Sequence, residues 1–161
     1  MPKPTGSGKT GSVNIFKFGD LMMSNSPTCG YCNCQTELQT GQTIYPHRHD
    51  LYKLFFWVCP NCGAYIGCHK KGARTKHKGQ AVTSDGTIPL GIPANASLRK
   101  LRMQAHGLFD PIWRGGVIAR RKAYAKMAAH LGIHIDDCHI SHFNETEIRQ
   151  FIDAIPMVFG G

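Results

Sequence analysis

Two matched cysteine pairs constrain this chain more than any other feature of its sequence. The first pair is Cys29-Gly-Tyr-Cys32, and the second is Cys59-Pro-Asn-Cys62, which Gly63 follows. Two residues between thiols let the chain fold into a tight knuckle that directs both sulfurs, and nearby backbone N–H groups, at one ion. Two knuckles supply four thiolates in a tetrahedron, each sulfur about 2.3 Å from Zn²⁺. The pairs therefore predict one structural zinc, because a closed four-sulfur shell leaves no position for a catalytic water.

Two other chemistries compete for the same cysteine pairs. Either pair could be a redox-active dithiol, but no βαβ pattern of the kind that surrounds such motifs is seen here. Disulfide bonds would require an oxidising compartment, and no export signal is recognised in the sequence. The 26 residues between the pairs exceed the usual span of a compact four-cysteine site and fit a zinc ribbon with an extended hairpin. The run Phe55-Phe-Trp-Val58 would be a strand of that ribbon.

Three cysteines remain outside the two pairs, namely Cys34, Cys68 and Cys138. Two of them precede a histidine, so Cys68, His69, Cys138 and His139 offer suitable ligand types for a second metal site. The alternative is that these thiols are small buried groups and that the imidazoles make local hydrogen bonds. The sequence favours the alternative without excluding the second metal.

Charge is distributed unevenly along the 161 residues and indicates an anionic partner. The formal net charge is +9, with 19 Lys and Arg against ten Asp and Glu. Residues 95–132 carry eight basic side chains and one acidic one, whereas residues 133–161 carry one basic and five acidic ones. This excess favours nucleic acid over a membrane as the partner, although a solvated charged face is the alternative. No apolar run approaches the roughly 18 residues of a membrane span, so we expect a cytoplasmic protein without a membrane partner.

Composition and periodicity divide the chain into three predicted parts. Residues 1–26 indicate a flexible N-terminal arm, because Gly, Ser, Thr and Pro dominate its start. Residues 27–94 indicate a zinc ribbon with a turn at residues 40–42 and a basic, irregular loop over residues 70–94. Residues 95–161 indicate a helical unit. Since 42% of the residues are apolar, the chain can bury a core, and the expected fold is α+β, a zinc ribbon packed on about three helices.

Three helices are predicted in the last part of the chain. The first should end or bend at Pro111, and its inward face combines apolar residues at spacings of three and four, Leu98, Leu101, Ala105, Leu108 and Ile112. A second helix fits residues 117–131. Asn144 and Glu147 form a capping-box pattern at the start of a third helix, which Pro156 should stop.

Two motif resemblances fail in their sequence context. The run Thr5-Gly-Ser-Gly-Lys-Thr10 looks like the end of a phosphate-binding P-loop, but Lys3 stands where that loop needs its first glycine. Too little chain surrounds this run for the sheet that a P-loop requires, although Val13–Phe18 could form a short strand. A zinc deaminase would show His-x-Glu before Pro-Cys-x-x-Cys, and the sequence contains no His-x-Glu.

Several motifs occur in an order that resembles a known family. The resemblance is carried by Tyr45-Pro-His-Arg48, Cys59-Pro-Asn-Cys-Gly-Ala-Tyr-Ile-Gly-Cys-His69, Pro89-Leu-Gly91, Ala94-Asn95, Leu98-Arg99, Ala105-His106, Phe109-Asp110, Trp113, Arg120 to Tyr124 and Cys138-His-Ile140. Over roughly residues 27–152 the chain is similar to the small zinc-finger-containing domain family of unknown function, which is found mainly in bacteriophages and prophages. The resemblance implies a phage-encoded protein of the host cytoplasm with the four paired cysteines as zinc ligands, and it brings no established activity.

Candidate anion contacts are spread over the ribbon and the helices. They come from a polar cluster, from the basic loop and from the family motif positions. The candidates are His47, Arg48, His69, Lys70, Lys71, Arg99, Arg102, His106, Arg120 and Arg121. The first functional hypothesis is a nucleic-acid-binding accessory protein, whose binding would weaken with salt. The second is an effector that docks on a host enzyme such as RNA polymerase or a defence nuclease. The third is a metal-dependent nuclease, which is the weakest because Asp50 and Asp110 are its only plausible carboxylates.

Overall fold

The computed structural model of the chain describes residues 25–161. Small antiparallel sheets occupy the first half of this range, and three long helices occupy the second half, so the predicted α+β fold is confirmed. The P-loop-like run Thr5–Thr10, the strand predicted over residues 13–18 and almost all of the predicted N-terminal arm lie outside the described residues.

A three-stranded sheet forms the body of the ribbon. Its strands are β1 (Glu37–Thr40), β2 (Phe55–Val58) and β3 (Tyr65–Gly67), in that spatial order and antiparallel. The strand predicted at β2 is thus confirmed, and its aromatic residues anchor the sheet. Trp57 is 2% exposed, and its indole N–H donates a hydrogen bond to the Thr87 carbonyl oxygen at 2.7 Å.

A single-turn helix, α1 (Gly41–Ile44), follows β1 where the sequence predicted only a turn. A 3₁₀ turn at His49–Leu51 then leads back to β2. Gly41 is buried, and a side chain at this position would overlap the Leu51 carbonyl. Glycine therefore allows the two turns to pack against each other.

A second hairpin lies within residues 70–94, so the prediction of an irregular loop there was wrong. It consists of β4 (Arg74–His77) and β5 (Gln80–Thr83), paired in antiparallel register. The two residues between the strands, Lys78 and Gly79, have positive φ angles of 49° and 79°. Two positive φ angles define a type I′ turn, whose twist matches that of the flanking strands. The sequence prediction failed because both strands are short and β4 is basic, and because Lys-Gly is a weaker turn signal than Asn-Gly.

Three helices pack around the main apolar core of the described chain. They are α2 (Ala96–Arg114), α3 (Arg120–Leu131) and α4 (Glu145–Phe159). The predicted capping box of the last helix is confirmed. The Asn144 side chain accepts a hydrogen bond from the Glu147 N–H, and the Glu147 carboxylate accepts one from the Asn144 N–H.

The two helix prolines do not end their helices, which corrects the prediction that Pro156 stops the last helix. Pro111 and Pro156 lie inside the last turns of α2 and α4. Each proline removes one backbone hydrogen bond, but its own carbonyl still accepts one, from Gly115 at 3.1 Å and from Gly160 at 2.8 Å. The helices continue because apolar side chains beyond each proline pack on the core, namely Ile112, Trp113, Val158 and Phe159.

Two further corrections concern the face of α2 and the start of α3. Leu108 is 49% exposed, whereas its neighbour Phe109 is fully buried among other aromatic rings. α3 begins at Arg120 rather than at Val117. The reason is the preceding turn, in which Gly116 has a positive φ of 79° and leaves Val117 exposed.

The segment 88–95, which we call the strap, joins the ribbon to the helical unit. On one side, Ala94 and Tyr65 exchange two backbone hydrogen bonds, at 2.9 Å and 3.1 Å. On the other side, the Ile92 N–H donates to the Ser141 carbonyl oxygen at 3.0 Å. The ribbon and the helices therefore have separate cores. They meet across this shared strap, and the Arg99 guanidinium of α2 also packs on the Tyr65 ring of β3, 4.2 Å from its centroid.

A buried arginine fixes the strap to the helical unit. Arg102 on α2 is 8% exposed, and its guanidinium donates to the carbonyl oxygens of Ile92 at 3.1 Å and Ser141 at 2.8 Å. Burial lowers the pKa of Arg102 to about 10, so the side chain remains charged at neutral pH. The sequence suggested Arg102 as an anion contact, but its buried position and carbonyl partners give it a structural role. Gly91 completes the junction, because a side chain there would overlap the Ser141 carbonyl.

We expect Arg102→Ala to lower the free energy of unfolding of the zinc-loaded protein by about 2–4 kcal/mol, because two buried carbonyls lose a charged donor. Urea denaturation followed by circular dichroism measures the change. Lys100→Ala removes an exposed cation from the same helix and should change the free energy of unfolding by less than about 0.5 kcal/mol. Equal stabilities of the two variants would show that Arg102 does not hold the strap.

Candidate functional site

The two cysteine pairs fold into knuckles with the same backbone hydrogen bond. The Cys29 carbonyl accepts from the Asn33 N–H at 2.8 Å, and the Cys59 carbonyl accepts from the Gly63 N–H at 2.9 Å. The residue after each pair has a positive φ, 56° at Asn33 and 77° at Gly63. Asn and Gly tolerate this conformation best, which explains why they follow the second cysteine of each pair.

The knuckles bring four sulfurs together. The Sγ atoms of Cys29, Cys32, Cys59 and Cys62 all lie within 4.8 Å of one another, and those of Cys29 and Cys62 are 3.6 Å apart. A tetrahedral zinc with sulfurs at about 2.3 Å places those sulfurs about 3.8 Å from each other, so the cluster fits this ion. The chain therefore carries one structural zinc site, formed by the four predicted ligands.

Backbone N–H groups around the sulfurs favour the thiolate form that zinc requires. Those of Cys62 and Asn61 point at the Cys59 sulfur, and the first of these makes the largest contribution to lowering the pKa of this thiol to about 6. Burial has the opposite effect on Cys29 and raises its pKa. A bound divalent cation offsets that burial cost, because it supplies the positive charge that a buried thiolate lacks.

A fifth sulfur, that of Cys34, lies against the zinc cluster at 3.3 Å from the Cys59 sulfur. Its hydrogen bond to Cys59 raises the pKa of Cys34 to about 11, so it remains a thiol and donates to the Cys59 sulfur. The sequence analysis gave Cys34 no role. The sequence signal for this contact was the close spacing Cys32-Asn-Cys34. The chain that leaves the first knuckle passes the zinc ligands again at Cys34.

The four residues considered for a second metal do not come together around one ion. Within residues 25–161, the zinc cluster is the one group of three or more ligand side chains close enough to share a cation. Burial raises the pKa of Cys68 to about 12 and that of Cys138 to about 11, which keeps both as thiols. Both cysteines thus fit the alternative interpretation, in which they are small buried groups.

His69 and His139 instead line a cavity of about 420 Å³ between the second hairpin and the helical unit, which we call the histidine cavity. Its wall contains six basic side chains, His69, Arg74, Lys76, Arg120, His139 and His142. Lys76 pairs with Asp136 at 2.8 Å, and this ion pair connects the hairpin to the helical unit. The sequence places Arg74 and Lys76 in a basic loop and His142 three positions after His139, but it does not predict their common wall, because that wall is formed by residues from separate segments.

A groove continues from the histidine cavity along the start of α3. Lys76, Arg120 and His139 line both concavities, and Arg121 lines the groove. We call the surface formed by Lys76, Arg120 and Arg121 the basic groove. The Arg120 guanidinium lies over the Tyr124 ring, 4.9 Å from its centroid, so an aromatic contact orients this cation.

Two predicted anion contacts lie against carboxylates elsewhere. Arg48 pairs with Asp50 at 2.7 Å, and His106 lies 3.2 Å from the Asp110 carboxylate. Arg114 also approaches Asp110, at 3.3 Å. The two carboxylates on which a nuclease mechanism would depend are thus each engaged with basic side chains.

The remaining predicted contacts fall into two groups. Arg99 belongs to the junction between the halves, since its guanidinium lies 4.2 Å from the Tyr65 ring centroid and donates to the Ala94 carbonyl at 2.6 Å. His47, Lys70 and Lys71 are exposed. Of the predicted set, the structure brings His69, Arg120 and Arg121 together around one connected concavity.

A ribbon closed by four cysteines and attached to a helical unit defines a small zinc-binding protein. A family model for a zinc-finger-containing domain matches residues 25–157, and the chain therefore belongs to this zinc-finger-containing family. No curated protein and no solved structure matches the chain. Within the described part of the chain, no helix is both long and apolar enough to cross a membrane. The family predicted from the sequence is confirmed, while a phage origin stays a prediction.

We expect Cys62→Ser to weaken zinc binding by more than about 100-fold, because one of four thiolate ligands is lost. Competition with a chromophoric chelator measures the affinity, and elemental analysis should give one zinc per wild-type chain. Cys68→Ser, which alters a cysteine outside the cluster, should bind zinc as the wild type does. Wild-type affinity in the Cys62 variant would exclude this residue as a ligand.

Cys34→Ala should leave the number of zinc ligands unchanged and lower the zinc affinity by about tenfold, because Cys59 loses one hydrogen bond. The absorption spectrum of the cobalt-substituted protein reports the number of coordinating sulfurs. A wild-type spectrum is expected. A shift to the spectrum of a three-sulfur site would instead make Cys34 a ligand.

Proposed function

We propose that this protein binds nucleic acid through the basic groove. The observation that carries the proposal is that two stretches rich in cations and without acidic residues meet along this groove. Residues 70–84 contain five Lys or Arg and no Asp or Glu, and α3 contains four and none. Lys76 from the first stretch and Arg120 and Arg121 from the second line the same surface, together with one carboxylate, that of Asp136, which pairs with Lys76. Such a concentration of positive charge suits a phosphate backbone.

The end of the chain is acidic, in contrast to the two cation-rich stretches at the groove. Residues 133–161 carry five acidic side chains and one basic side chain, and Glu145, Glu147 and Asp153 lie on α4. The positive charge is therefore concentrated on the hairpin and on residues 95–132, which include α3, and not on α4. A polyanion would be attracted to the groove and repelled from α4.

Contacts to phosphates, rather than base stacking, should dominate the binding. Trp57, one aromatic residue considered for stacking, is buried in the ribbon. Tyr45, the other, is half-buried, and its hydroxyl lies 2.7 Å from the Tyr65 hydroxyl. Binding of this kind depends on salt and tolerates differences in base sequence.

We also infer that the protein acts in the cytoplasm of a host cell as a phage or prophage product. Its seven cysteines form no disulfide, which supports a reducing compartment. The phage origin is supported by the family resemblance of the sequence.

The double variant Arg120→Ala/Arg121→Ala tests the groove. It should weaken binding of a single-stranded oligonucleotide and reduce the slope of log affinity against log salt by about 1.4, since each lost phosphate contact contributes about 0.7. Fluorescence anisotropy over a salt series measures both quantities.

The matched control is Lys100→Ala/Arg149→Ala, which removes two exposed cations outside the groove and leaves the same net charge. The control should retain most of the affinity and the slope. Equal effects of the two double variants, or no binding by the wild type at about 50 mM salt, would contradict the proposal.

A protein partner is the second candidate, and exposed apolar side chains favour it. Val117 is 95% exposed and Met157 is 73% exposed, and both line a concavity between the start of α3 and the end of α4. A host enzyme such as RNA polymerase or a defence nuclease could dock on this surface. A stoichiometric protein partner that survives nuclease treatment, together with no oligonucleotide binding, would favour this candidate over nucleic acid.

A further inference from the structure

We propose that the histidine cavity binds the terminal phosphate of a nucleic-acid strand whose backbone follows the basic groove. The inference rests on the proposed function and names the part of the strand that the protein recognises. The cavity and the groove share Lys76, Arg120, Asp136 and His139, so a strand lying in the groove would present its end to the cavity.

Charge in the cavity is suited to a dianion. The one carboxylate in its wall, that of Asp136, is held by Lys76 at 2.8 Å. Two guanidinium groups, those of Arg74 and Arg120, pair with no carboxylate within residues 25–161. Arginine is the side chain best suited to phosphate, because its planar fork donates two parallel hydrogen bonds.

A further positive charge lies behind the cavity wall. The buried Arg102 guanidinium donates to the carbonyl of Ser141, a residue that lines the cavity, and its second partner is also a carbonyl. Among the described residues, no carboxylate neutralises Arg102. Because this charge is removed from water, its field is less screened than that of a surface cation.

The imidazoles of the cavity are held in place before any ligand arrives. The His69 ring nitrogen lies 3.2 Å from the Thr75 hydroxyl, and the His139 ring packs on Tyr124 and His142, with centroids 5.5 Å and 5.2 Å apart. Burial lowers the pKa of His69 and of His139, so both rings are neutral at neutral pH and each offers one N–H donor. Donors held in this way lose little conformational freedom on binding.

A terminal phosphate matches this donor set better than an internal phosphate or a metal ion. A phosphate monoester carries close to two negative charges and three strong acceptor oxygens, whereas an internal phosphodiester carries one charge and two free oxygens. Three imidazoles and two unpaired guanidinium groups can satisfy the larger number of acceptors. A metal cation would be repelled by Arg74 and Arg120, and the cavity side chains form no group of three ligands around one point.

The test uses the zinc-loaded, full-length protein and one single-stranded sequence in three forms: with a 5′-phosphate, with a 3′-phosphate and with hydroxyl groups at both ends. We expect at least one phosphorylated form to bind about tenfold or more tightly than the hydroxyl form. Arg74→Ala should abolish this preference and weaken binding of the hydroxyl form much less than that of the phosphorylated form, because Arg74 lines the cavity and not the groove. Arg149→Ala, an exposed cation on α4, should keep the preference.

A second measurement separates this inference from the proposed function. Titration with inorganic phosphate, followed by NMR of the imidazole groups, should shift the resonances of His69, His139 and His142 and leave that of His130 in place. Equal binding of all three strands would overturn the inference and leave the proposed function standing. Imidazole shifts with phosphate but no strand binding would overturn the proposed function and reassign the cavity to a free phosphate compound. If no strand binds and no imidazole resonance shifts with phosphate, both the inference and the proposed function are wrong.

Discussion

Four sulfur atoms around one divalent cation stabilise the half of the molecule that has the least apolar material to bury. The core at the knuckles consists of Cys29, Cys59 and Ala64. Burial of three small side chains cannot offset the conformational entropy of ordering two loops, so the zinc ion takes the place of a conventional core. The helical unit is different, since Phe109, Phe151 and their neighbours bury enough apolar surface to stabilise it.

The two halves acquire a shared surface because the strap hydrogen-bonds to both. Zinc stabilises the ribbon, to which β3 belongs. The chain that follows β3 leads directly to His69 on one wall of the cavity. The helical unit fixes His139, His142 and Arg120 on the opposite wall. The histidine cavity thus depends on a metal-stabilised element and on a hydrophobically stabilised one, although it contains no zinc ligand and no residue of the buried helical core.

Local sequence patterns were sufficient for the zinc ligands, the central strand β2 and the number of helices. Each of these features is encoded within a few neighbouring residues, as in the cysteine pairs or the Asn144–Glu147 capping box. What the sequence could not predict depends on contacts between distant segments. Arg102 has the spacing of the buried helix face, four positions after Leu98 and three before Ala105, but the carbonyls that accept its hydrogen bonds come from the strap and from Ser141, which no local pattern indicates. The cavity brings His69 next to His142, more than seventy positions away in the numbering, and no local pattern signals that contact.

The close approach of Gly91 to Ser141 has a consequence for the width of the cavity. Ser141 lies in the same 3₁₀ turn as His142, and its hydroxyl donates to the carbonyl of Leu90, the residue before Gly91, at 2.8 Å. Even a methyl group at position 91 would push the turn outward and carry His142 with it. Substitution here would therefore displace His142 relative to His69 and would also disturb Ile140, a core residue of the same turn, so the spacing of the histidines depends on a residue that has no side chain.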